Sequence, residues 1–236
     1  MLRSIVQRPS GVLVVTNAWK NAFPGAVIGV LVMRGVRNPE QSAALEAGKR
    51  RLEEDLRSDS GAVRHGGTDA DRVLRAYVEY YRARGKTYQV KAQRDSVALK
   101  GKPIPRRAAL VEAMFMGELK NMILTAGHDL DVLVPPLRVD LTADEDRYLL
   151  LNGAEAVLER GDMMMADGEG IVSSVLRGPD RRTRITTRTR RVLFAAYAPA
   201  GISVDAVRGH LEDIQANVLL VAPEAQTEEL ETLTAA

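Results

Sequence analysis

Residues 177–191, RGPDRRTRITTRTRR, place seven arginines in fifteen positions against a single acid, Asp180. A guanidinium offers forked donors that match phosphate oxygens and a flat face that stacks on bases, so this stretch has the chemistry to bind an anion or a nucleic acid. Read as an extended chain, Arg182, Arg184, Arg188 and Arg190 share one parity and lie on one side, with Ile185 and Thr187 opposite. A solvated hairpin whose charges discourage edge pairing is the plainer account. One-sidedness and the choice of arginine favour an RNA-facing surface made by Arg181, Arg182, Arg184, Arg188 and Arg190. An acidic protein partner would satisfy the same charge. A second basic region runs through Lys86, Lys91, Arg94, Lys100, Lys102, Arg106 and Arg107, with Tyr88 among them as a base-stacking candidate.

Two further residues have the chemistry for catalysis. Glu118 sits between Met116 and Leu119 in an apolar helical pattern, so its carboxylate must be exposed, paired or turned toward a cavity. His128, in GHDLD, either interacts with a helix C-terminus and a neighbouring aspartate or serves as a base. Asp129 and Asp131 cannot face the same way on an extended chain, which argues against a carboxylate pair. The chain has no cysteine and three scattered histidines, His65, His128 and His210, which exclude thiolate-ligated zinc and give no metal-ligand spacing. No metal and no cofactor is expected. The formal net charge is only +2, from 33 basic and 31 acidic residues, so the arginine run is a local excess. Without a signal-peptide core or a membrane-length apolar run, the expected location is the cytoplasm, with no membrane partner.

These side chains need elements to position them. Apolar runs at 11–16 and 26–36 read as strands covered on both faces. Asn38, Pro39 and Gln41 read as the start of a helix over 39–57. A glycine-rich loop containing His65 leads to a second helix, capped by Thr68 or Asp69 and closed by Gly85. Helical spacing of Met114, Phe115, Leu119, Met122 and Ile123 predicts a core helix over 107–124, closed by Gly127. Strands follow from 131, with ADGEG as a hairpin turn and VLFAAYAP as a strand; Ser203 opens a last helix, and VLLVA reads as a short strand.

The order of these motifs resembles a known family. LKGKPIPRRAALVEAMFMGELKN and GHDLDVL, followed by GDMMMADGEGIVSSVLRGPDRRTRITTRTRRVLFAAY, are similar to the B3/B4 domain of the phenylalanyl-tRNA synthetase β chain in free-standing form, over roughly residues 65–215. Val111 and Glu112 stand at the valine and aspartate of that family's helix motif, Asp129, Leu130 and Asp131 at its D-L-D, and Thr189 at its threonine motif. Ala108 and Phe115 replace asparagines of the pattern. The resemblance implies one layered α/β domain over 1–222, with 223–236 left as an acidic, mobile tail. It further implies a tRNA-binding protein that hydrolyses mischarged aminoacyl-tRNA in a cleft. There Glu118 and His128 would be catalytic, and Gly178, Asp180 and Thr187 would contact substrate. A non-catalytic tRNA- or anion-binding module is the alternative.

Overall fold

The run VIGVLVMR forms strand β2 (Val27–Arg34), buried at every position but the last. A strand buried on both faces needs a layer on each side. In the computed structural model, which describes residues 11–61 and 69–235, β2 lies in an antiparallel sheet between β11 (Gln226–Thr234) and β10 (Arg191–Ala198), and β10 pairs in turn with β3 (Thr125–Asp129). Helices α2 (Ala43–Gly61), α5 (Ala109–Asn121) and α6 (Val204–Val221) form the layer on one face. Two glycines permit close approach there. A Cβ on Gly29 of β2 would stand 2.6 Å from Val207 Cγ1, and one on Gly117 of α5 would stand 2.7 Å from Ile214 Cγ1.

The opposite face is covered by a second sheet, in the order β1 (Leu13–Val15), β4 (Leu137–Leu141), β7 (Met163–Ala166), β8 (Ile171–Ser174) and β9 (Gly178–Pro179). Here β1 runs parallel to β4 and the other pairs are antiparallel. Tyr197 Oη of β10 meets Ser173 Oγ of β8 at 2.6 Å, joining the two sheets. Helix α3 (Asp69–Arg82) lays three tyrosines into the seam: Tyr77 donates to Tyr197 O, Tyr80 to Asp162 and Tyr81 to Val175 O. A two-stranded hairpin, β5 (Arg147–Leu149) and β6 (Glu155–Val157), and two shorter helices, α1 (Asn17–Ala22) and α4 (Gln89–Ala98), complete the described elements. The layered α/β class expected from the sequence is the class observed.

Several elements differ from their expected form. The second basic region, for which no element was expected, contains α4, and Tyr88 at its N-cap is buried, stacked on Tyr77 at 4.4 Å and donating to Met122 O, so it offers no face to a base. The core helix ends at Met122 in a left-handed conformation, φ 59°, while Gly127 and His128 lie within β3. VLLV belongs to α6, because an apolar run packed on a sheet is satisfied equally well by a helix. The acidic tail expected to be mobile is β11, paired along the length of β2. Its Glu228 takes up Arg191 at 2.8 Å and Arg34 at 3.7 Å. His65 and Thr68 lie outside the described residues.

Candidate nucleic-acid interface

The arginine run is a chain of turns rather than an extended strand, because its short polar side chains capture its own backbone. Asp180, buried, accepts from Arg182 N at 3.2 Å and Thr183 N at 3.0 Å, and from the Thr183 hydroxyl. A second turn follows. Thr189 Oγ1 accepts from Thr186 N at 2.9 Å and donates to Asp129 Oδ2 at 2.7 Å, while Arg188 N donates to Thr186 Oγ1 at 3.2 Å. Competition of this kind between side-chain oxygens and ladder partners is why Asp and Thr favour turns over strands. The expected alternation of arginines along one strand face is therefore absent, and the buried threonines point in while the arginines splay outward.

Three of the seven arginines are ion-paired to carboxylates of the same chain. Arg177 pairs with Glu159 at 2.8 Å, and Arg191 with Glu228 at 2.8 Å and Asp131 at 3.4 Å. Arg182 meets Asp167 at 2.8 Å, Glu169 at 3.3 Å and Asp180 at 3.9 Å. Burial would raise the Asp167 carboxyl, but hydrogen bonds from Val134 N, Arg182 and Glu169 N outweigh it and hold the group below its usual range. Arg181, Arg184, Arg188 and Arg190 are exposed and, among the described residues, have no carboxylate at ion-pairing distance. Arg184 donates to Arg181 O, and Arg190 to Thr187 O and Thr189 O, bonds that orient the guanidinium groups without cancelling their charge.

Arg181, Arg182 and Arg184 line an open groove of about 500 Å³ together with Arg147 of β5, Glu169 and Asp180. The loop is pinned to the hairpin, since Arg181 N donates to Leu149 O at 2.8 Å. Gly178, at φ 81°, presents its carbonyl to Tyr148 Oη at 2.5 Å. Thr187 is exposed and offers its carbonyl to Arg190. Asp180 lines the groove, but the turn occupies both of its carboxylate oxygens.

Glu118 and His128 are not brought together. Glu118 lies on α5, buried, and accepts from Thr125 N at 2.7 Å; burial pushes its carboxyl up to about 8 against that hydrogen bond. Along β3, Thr125 Oγ1 meets His210 of α6 at 2.7 Å, so His128, three residues on, faces the opposite layer. Its Nδ1 meets Thr183 Oγ1 at 2.7 Å, and burial lowers the imidazole to about 3, with Asp167 opposing the shift and Arg182 adding to it. His128 thus sits beneath the arginine loop as a neutral support. Neither residue lines the groove.

No family model and no curated protein matches the chain. In structure it is similar to an N-terminal fragment of the phenylalanyl-tRNA synthetase beta-subunit from Pyrococcus horikoshii. The TM-score is 0.48 at 11% identity, and the match covers 93% of this chain and 53% of that one, so the chain spans about half that fragment's length. The likeness is weak and confined to fold. Sequence reasoning singled out the arginines of the groove but missed Arg147, which comes from a separate hairpin, and Asn38, which joins the loop to α5. The D-x-x-T spacing of Asp180 and Thr183 was the one local signal that the run would turn.

Proposed function

We propose that this protein binds RNA through Arg181, Arg184, Arg188 and Arg190, with tRNA the first RNA to test. One observation carries this reading: the run's ion-paired arginines are separated from four exposed ones with no carboxylate partner among the described residues. Desolvated or paired arginines have little to gain from an outside phosphate, whereas exposed ones gain charge-assisted bonds and release counterions. Hydrolysis of mischarged tRNA, which the motif resemblance implied and for which Glu118 and His128 were the candidate residues, draws no support from where these side chains lie.

The test is binding of labelled tRNA over a range of salt. Replacing Arg184 and Arg188 by alanine is expected to flatten the plot of log affinity against log salt by roughly 1.4–1.8, two phosphate contacts' worth. Removing the ion-paired Arg177 should leave the slope unchanged. Capture of an acidic protein with no affinity for RNA would replace this reading with a protein-interaction surface.

A further inference from the structure

The end of the second basic region, at Arg106 and Arg107, leads into a helix that is tied to the arginine loop. Asn38, buried, donates from Nδ2 to Thr186 O of the arginine loop at 2.9 Å and accepts at Oδ1 from Leu110 N, in the first turn of α5, at 2.8 Å. One residue pair away, Val36 N donates to Arg190 O at 3.1 Å, and Ala109 N donates to Pro39 O at 3.0 Å. The segment 36–39 is therefore clamped between the arginine loop and the start of α5. It carries Arg37 outward, and the residues leading into α5 carry Arg106 and Arg107 outward; all three are exposed. Arg106 approaches Glu46 only at 3.9 Å, and among the described residues Arg37 and Arg107 have no carboxylate at ion-pairing distance.

We infer that the two basic regions form one continuous RNA-binding surface, in which Arg37 and Arg107 extend the track that begins at Arg184 and Arg188, and Asn38 fixes the spacing between its halves. This rests on the RNA-binding reading and deepens it, because it names the ligand as a phosphate backbone longer than the groove can hold. A single small anion at the helix end fits the geometry less well. The first amides of α5 are already taken, Ala109 N by Pro39 O, Leu110 N by Asn38, and Val111 N and Glu112 N by Ala108 O. Glu112 itself is buried against Lys49 at 3.0 Å and accepts from Arg107 N. With the helix end satisfied, the positive charge there comes from separate side chains on three segments. Such an arrangement meets successive phosphates along a chain.

The experiment compares two double variants, Arg184→Ala with Arg188→Ala and Arg37→Ala with Arg107→Ala, on two labelled ligands, a whole tRNA and a trinucleotide. On tRNA each pair is expected to flatten the salt slope by roughly 1.4–1.8, and the quadruple variant by about twice that. On the trinucleotide only the first pair is expected to matter. If the Arg37/Arg107 variant binds tRNA with the wild-type slope, the continuous surface is wrong while RNA binding by the groove stands. If the trinucleotide responds equally to both pairs, the regions act as one compact anion site and the extended track is wrong. If the wild-type protein binds no RNA, the reading beneath fails. A thermal transition recorded for each variant, with Arg37→Gln and Arg107→Gln as the alternative pair, separates lost charge from lost fold.

Discussion

At the scale of single residues, three buried titratable side chains make opposing demands on pH. Glu118 binds its proton more tightly in the folded chain, with its carboxyl raised from 4.5 to about 8 by burial against the hydrogen bond from Thr125. Between those values the folded state holds the extra proton, so stability falls as pH rises. His128 and His210 behave in the reverse sense, lowered by burial from 6.5 to about 3 and about 4. The unfolded chain takes up protons that these imidazoles refuse, and stability is lost as pH falls below about 6.5. Below 6.5 two histidines outweigh one carboxyl; above it only the carboxyl acts. Denaturant unfolding should therefore show these groups placing maximal stability near pH 6.5, with an alkaline decline of roughly 0.5–0.8 kcal/mol per pH unit toward pH 8. Glu118→Gln keeps an acceptor for Thr125 N and should abolish that decline. An equal decline in both proteins would mean that the buried carboxyl is not the cause.

At the scale of elements, the approach of α5 and α6 depends on Gly117. A Cβ there would meet Ile214 Cγ1 at 2.7 Å and His210 Cε1 at 3.3 Å. Alanine is the better helix former by about 1 kcal/mol, so propensity alone predicts stabilisation. Packing decides otherwise: Gly117→Ala should destabilise by roughly 1–3 kcal/mol, because two packed helices must separate or a buried ring must shift. Urea unfolding of Gly117→Ala, Ile214→Ala and the double variant is the check. The double variant should lose less than the sum of the two, since Ile214→Ala makes room for the new methyl. Strict additivity would show that the two positions do not meet.

At the scale of the whole molecule, β11 closes the main sheet. It covers the edge of β2, whose first seven positions are all buried, and its Glu228 neutralises Arg191 and Arg34. Removing residues 226–236 would leave a long apolar strand as an open edge, the geometry that templates aggregation. The shortened chain is expected to lose its cooperative thermal transition and to precipitate. A soluble truncation with an unchanged transition would show the tail to be dispensable.

What the sequence determined by itself is what depends on short range. The continuous apolar run at 26–36 marked β2 as a doubly covered strand, whereas the same reading of 11–16 fails at β1, where Val14 is exposed; VLFAAYAP marked the strand β10, the helical spacing of Met114, Phe115 and Leu119 marked α5, and ADGEG marked the turn between β7 and β8. The excess of arginine was visible as composition, and with it the kind of ligand to consider. Tertiary structure decided the rest wherever a residue's partner is remote. Asn38 reads as the cap of the helix that follows it, yet it bonds Leu110, 72 residues on, and Thr186, 148 residues on. The alternation of Glu, Thr and Leu in β11 has no apolar run to announce a strand, and only pairing with β2 makes it one. Which arginines stay free was equally beyond local reading. Asp167, Glu169, Glu159 and Glu228 select Arg182, Arg177 and Arg191 from the seven by proximity in space, and charge is cancelled by distance through the fold rather than by position along the chain.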